Sequence, residues 1–174
     1  MRRIVTGHDA QGRSVVLDDA VLAKRKGSAS RGVTEVWNTD PRPIDSQAFA
    51  DPVNLPFELI PKPGGSKFLF FAVAPESADG DDETAKARAA AAFASYGADA
   101  ARPDTSISPW MHKTKTIDYI IVLAGEVTLL LEGEERTLKP FDVVIQRGTN
   151  HAWINRGTEP ALLIAILIDA DYSG

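Results

Sequence analysis

Trp110-Met-His112-Lys-Thr114-Lys-Thr116-Ile-Asp118-Tyr-Ile-Ile-Val-Leu-Ala-Gly125 is the stretch that decides the fold of this 174-residue chain. Period-two alternation puts Trp110, His112, Thr114, Thr116 and Asp118 on one face of a strand. Lys113, Lys115, Ile117 and Tyr119 fall on the other face, and the lysines mark it as the outside. A second run, Phe141-Asp142-Val-Val-Ile-Gln-Arg-Gly148-Thr-Asn-His151-Ala-Trp153-Ile-Asn155, aligns Thr149, His151 and Trp153 on one face. Two of the three histidines therefore sit at inward positions of two strands. Trp, His, Thr and Asp next to apolar barrel strands describe a lined pocket rather than a solvated surface.

The rest of the chain is consistent with one soluble domain built on these strands. Its length suffices for a buried core, and 44% hydrophobic with 25% charged residues is ordinary for a globular protein. The net charge is −5, and the densest basic cluster, Lys24-Arg25-Lys26, reads as a solvated turn. Neither nucleic acid nor an anionic membrane is an expected partner. With no cysteine, disulfides, thiolate catalysis and Cys-rich zinc sites are excluded. The opening Met-Arg-Arg-Ile-Val-Thr-Gly-His-Asp lacks the apolar core of a signal peptide. The longest apolar run, Ala161 to Ile168, is too short to span a bilayer and reads as a buried strand. The expected location is cytoplasmic.

Along the chain, Ile4–Thr6 and Arg13–Leu17 read as the arms of a hairpin around the Asp9-Ala-Gln-Gly12 turn. Residues 24–66 are proline-rich, which disfavours long helices there. Short strands are expected at Val33–Trp37, Phe57–Ile60 and Lys67–Val73. Thr84–Tyr96 is an alanine-rich helix with acidic residues at its start and Gly97 as its stop. A strand-rich block runs from Met111 to Leu167, with turns at Gly125, Glu132–Glu134, Lys139-Pro140, Gly148 and Arg156-Gly157. Its even spacing is that of a sandwich or barrel. The reading is a mostly-β barrel comprising residues 61–174, with a helical insertion near 83–97. Residues 1–60 form an N-terminal β extension within the same globule.

These residues resemble the cupin superfamily, whose jelly-roll β-barrel carries the motif Gly-x5-His-x-His-x3–4-Glu-x6-Gly and a second motif ending Pro-x-Gly-x2-His-x3-Asn. Here the runs are His112-x-Thr114-x3-Asp118-x6-Gly125 and Gln146-x-Gly148-x2-His151-x3-Asn155. The resemblance spans Ser108 to Ile168 and implies the barrel fold. It also implies that His112, His151 and Asp118 stand at metal-ligand positions. Thr114 replaces the middle histidine, and Asp118 stands in for a glutamate with a side chain one methylene shorter. Metal–oxygen bonds of about 2.0–2.2 Å tolerate little such slack. Ser106 replaces the motif's leading glycine, and Phe141 stands where a turn glycine is usual.

The resemblance implies an enzyme acting on a small organic molecule inside the barrel, of oxygenase, decarboxylase or isomerase type. It would carry one divalent transition metal (Fe, Zn, Ni or Mn) or none. Without a metal, a histidine of near-neutral pKa would serve as general acid or base, with Asp118 orienting it or capping a backbone turn. The alternative is a non-catalytic barrel that binds a small ligand without a metal. Trp110, Thr114, Thr116 and Trp153 are the expected pocket wall, with the tryptophans either stacking on ligand or filling the barrel. His8 reads as a surface residue. Glu126, Asp142, Gly125, Gly148 and Asn155 read as structural. The expected assembly is a homodimer, because the N-terminal hairpin has exposed edges that strand exchange would protect.

Overall fold

In the computed structural model, residues 1–22, 25–40 and 49–172 are described, so Lys24 of the basic cluster lies outside the described residues. Apolar alternation sets the strands. β1 (Arg2–His8) and β2 (Ser14–Val21) form the expected hairpin, longer in both arms than the sequence predicts. The Asp9 carboxylate accepts from the backbone N–H groups of Gln11 and Arg13 and so closes the turn. After β3 (Lys26–Gly27) come β4 (Gly32–Thr39) and β5 (Ser66–Val73). Helix α1 (Asp82–Ser95) follows, then β6 (Thr116–Ala124), β7 (Val127–Leu131), β8 (Glu135–Leu138), β9 (Val143–Arg147), β10 (His151–Ile154) and β11 (Ala161–Asp169). Among the described residues, no helix is long and apolar enough to cross a membrane.

A six-stranded antiparallel sheet of order β3-β4-β5-β11-β6-β9 and a three-stranded sheet of order β10-β7-β8 share one core. The central strand β11 buries Ala161, Leu163, Ala165 and Leu167, while Ile120 and Val122 of β6 and Val127 of β7 pack against them. Fully burying one such Leu or Ile is worth about 1.5–3 kcal/mol. β4 and β5 are also tied by the buried Lys67–Glu35 ion pair at 2.7 Å. The main sheet therefore draws in β3 and β4 from the first sixty residues. The hairpin is anchored separately, through Arg3 to Asp51 at 2.8 Å and to the Val36 carbonyl of β4 at 3.2 Å.

The helix begins where the sequence places it. Asp81 caps it by accepting from the Thr84 N–H at 2.8 Å, and Gly97 stops it with φ +63°. Two strand expectations fail. Phe57–Ile60 is an irregular segment between Pro56 and Pro61; it buries Phe57 in the core and donates the Leu59 N–H to the Tyr96 carbonyl instead of to a ladder. The segment before Thr116 is not a continuous strand either. His112 makes only an isolated bridge to His151, because the next N–H, that of Lys113, goes to the Ala101 carbonyl.

The turns show where the chain is under strain and where it is clamped. Phe141, at a position where glycine is usual in the motif, has φ +75° and is 81% exposed. A left-handed conformation costs a residue with a Cβ about 1–2 kcal/mol, and this ring gains little packing in return. Asn155 is almost fully buried; its amide donates to the Val73 and Glu159 carbonyls, and its Oδ1 accepts from Gly157 N–H, all at 2.8 Å. We expect Phe141→Gly to raise stability in urea unfolding by about 1 kcal/mol, and Asn155→Ala to lower it by about 3 kcal/mol by stranding buried carbonyls. Unchanged midpoints in both variants would refute this account of the turns.

Candidate active site

His112 and His151 face each other across the bridge that joins the 110–115 segment to β10. Each donates its N–H to the other's carbonyl, at 2.8 and 2.9 Å, and the ring centroids are 4.2 Å apart. The two side chains are fixed in the same way. His112 Nδ1 lies 3.0 Å from the Trp110 carbonyl and His151 Nδ1 lies 3.0 Å from the Thr149 carbonyl, each two residues back. A carbonyl oxygen only accepts, so both Nδ1 atoms carry the proton and each neutral ring keeps its lone pair on Nε2. Phe93 of α1 packs on His112 at 4.9 Å between ring centroids, and Trp153 sets its edge to His151 at 5.7 Å. Burial in this aromatic stack pushes the His112 pKa down. Burial, and then the neighbouring His112, push that of His151 well below its ordinary value. Both rings are neutral at pH 7, and because they touch, the pair takes up at most one proton readily.

Both rings line a cavity of about 140 Å³ between the two sheets. Of the residues expected at the pocket, Trp110, Thr114, Asp118 and Trp153 line it as well. Thr116 is fully buried and lies behind, its hydroxyl 2.6 Å from that of Thr114. Asp118 comes from the inner face of β6, is 5% exposed, and its Oδ1 has no hydrogen-bond partner. Burial raises its pKa to about 6, against the lowering effect of the Thr116 hydroxyl. Apolar side chains such as Leu69, Phe71, Val73, Ile120 and Leu167 make up most of the remaining wall.

One further contributor, Arg31, carries no local sequence signal. Arg31, in the loop before β4, lines the cavity with its guanidinium 4.7 Å over the Trp110 ring. It pairs with Asp79 at 2.7 Å, and Asp79 also takes the Trp110 indole N–H at 3.2 Å. Phe93 and Tyr96 reach the cavity from the end of α1. Their signal was present but unused: they are the aromatic residues of an otherwise alanine-rich helix, three apart and hence on one face.

The arrangement brings His112 and His151 together, but Asp118 does not join them as a third ligand. Among the described residues, no three His, Cys, Asp or Glu side chains group closely enough to hold one ion. The Thr114 hydroxyl is already engaged with Thr116. Catalytic zinc sites use three protein ligands, so two imidazoles fall one short and the residues present do not fit a resident ion of that kind. What they do offer is a neutral base with a fixed tautomer, and a carboxyl group that carries its proton in part at near-neutral pH.

A family model described as a cupin domain matches residues 101–167. The chain is 34% identical over 163 residues to the phomopsin biosynthesis cluster protein C' of Diaporthe leptostromiformis, covering 88% of this chain and 70% of that protein. It is 25% identical over 180 residues to the cupin-domain-containing oxidoreductase fogC of Aspergillus ruber, covering 97% of this chain and 72% of that one. Among solved structures, the cupin domain of an XRE family transcriptional regulator from Enterobacter cloacae aligns at 19% identity and a TM-score of 0.38, covering 61% of this chain and 83% of that chain. The family-model match and the 34%-identical Diaporthe relative identify the chain as a member of the cupin superfamily.

Proposed function

We propose that this cupin is an enzyme that moves a proton on a small organic molecule held in the barrel interior. The His112–His151 pair is the base and Asp118 the acid. The observation that carries this reading is the shared tautomer of the two rings, which leaves both Nε2 lone pairs free beside an apolar cavity. The pair takes up one proton on an Nε2, and the other ring stays neutral beside it. Asp118, protonated in part because it is buried, returns a proton to another atom of the substrate. The net reaction is of isomerase type.

The name of the Aspergillus ruber relative supports an enzyme in general terms. Its redox class is not something imidazole and carboxyl side chains supply, since none of them takes up electrons. Apolar walls keep water from competing for the proton and strengthen the electrostatics of the transfer.

Incubation with a panel of small carbonyl compounds in D₂O, followed by NMR, tests the proposal. At least one compound should gain deuterium. His112→Gln and Asp118→Asn should each slow exchange by about 10²–10⁴-fold while remaining folded. Exchange by no compound, or a stoichiometric transition metal whose removal abolishes exchange, would overturn it.

Asp118 also makes a separate prediction about pH and stability. Its pKa rises from 3.8 in the unfolded chain to about 6 in the fold, so the ionised form destabilises the fold above pH 6. That penalty, about 3 kcal/mol, is relieved as pH falls from 6 to 4. The histidines act in the opposite sense, because their depressed values withdraw stability as pH falls below 6.5. Asp118→Asn isolates the first effect. The variant should be more stable than wild type at pH 8, and the gap should close by pH 4. A gap independent of pH would contradict the assigned carboxyl.

A further inference from the structure

We propose that the cavity takes a small carboxylate-bearing molecule, its anionic end held by Arg31 at the Trp110 side and its apolar body against the barrel wall. This deepens the proton-transfer reading and rests on it only in taking the cavity as the substrate site. Among the described residues that line the cavity, Arg31 is the only one with a permanent positive charge. Its partner Asp79 does not cancel that charge, because the one carboxylate also serves Arg88 at 3.2 Å. Two guanidiniums share the one Asp79 carboxylate, in a chain whose overall charge is −5.

The geometry of Arg31 points the same way. Its Nη2 lies 2.7 Å from Asp79 Oδ1 but without hydrogen-bond alignment, and it is a buried donor with no aligned acceptor. The guanidinium carbon sits 4.7 Å over the Trp110 ring, and the paired N–H groups of a guanidinium suit a planar, two-oxygen acceptor. A second cation is missing from the cavity, since both histidines are neutral there. One fixed cation in about 140 Å³ of mostly apolar space suits a monoanionic carboxylate. A phosphate dianion would bring more charge and more acceptors than these walls satisfy. With the carboxylate at Arg31, the remainder of the molecule extends among the apolar side chains toward the histidine pair.

Benzoate and its neutral counterpart benzamide serve as probes, with titration calorimetry and tryptophan fluorescence as readouts, the latter because Trp110 lies under Arg31. We expect wild type to bind benzoate at least about tenfold more tightly than benzamide, a preference of about 1.4 kcal/mol. Added salt should weaken benzoate binding and leave benzamide unchanged. Arg31→Gln should abolish the preference while keeping benzamide affinity, and Arg31→Lys should retain part of it. The salt series on wild type carries the test if Arg31→Gln does not fold. Equal affinity for the two probes, binding of neither at millimolar concentration, or a preference that survives Arg31→Gln would each overturn the proposal. His112→Gln separates the two claims: it should keep the preference for benzoate over benzamide while losing deuterium exchange. A benzoate preference without any exchange in wild type refutes the proton-transfer reading alone.

Discussion

The backbone bridge between His112 and His151 closes the barrel at the point where a strand ladder would ordinarily do so. It consists of two hydrogen bonds and no more, because the Lys113 N–H turns away to Ala101. From that short junction the rest of the site follows. The bridge sets the two α-carbons opposite each other, the carbonyl two residues back fixes each ring, and the rings come to rest in contact. A full strand here would extend the ladder beyond the bridge. The isolated bridge leaves Trp110 free to turn toward Asp79 and Arg31. Backbone irregularity at a site built on otherwise regular strands is where side chains can be aimed at a ligand.

Burial does the electrostatic work. Stacking between Phe93, His112, His151 and Trp153 keeps water from both rings and holds them neutral. The same exclusion of water leaves Asp118 Oδ1 without a partner and raises its pKa to about 6. An unpaired buried carboxylate is costly, and a fold built for stability alone would place an apolar residue there. The inner face of β6 is divided accordingly. Thr116 and Asp118 occupy one end, Ile120 and Val122 the other, and the polar half meets the histidines while the apolar half closes the core.

Much of this was legible in the sequence, and what was not has physical causes. Alternation along Thr114–Val122 and the continuous apolar run Ala161–Ile168 give the central strands correctly, since one face of β6 is buried and a one-residue slip would invert it. The capped helix was equally plain. Period-two reading misled at Phe57–Ile60, where flanking prolines remove ladder donors although the apolar residues are buried all the same. It also extended the His112 strand too far, because the competing Ala101 carbonyl arrives from a distant loop. Arg31 was out of reach for the same reason. It follows a Ser-Ala-Ser run with no pattern, and only the pairing of β4 with β5 carries it to a cavity whose histidines, Thr114 and Asp118 lie more than eighty residues away.

The two departures at the motif's ligand positions act in one direction. A histidine at position 114 would place an imidazole in the space that the site now leaves open, whereas the Thr114 hydroxyl withdraws to Thr116. A glutamate at position 118 would reach one methylene further than Asp118 does. Both exchanges shorten side chains on the same wall, so the site gives up donor atoms and gains volume. What keeps that volume from collapsing is the stiffness of its frame: two sheets tied through β11, with aromatic rings from α1 and β10 standing over the histidines. The loss of ligand atoms and the presence of an apolar cavity are therefore a single structural change. On the proposed reading, its consequence is a site in which chemistry falls to the proton-bearing groups that remain, and selectivity to Arg31 beside Trp110.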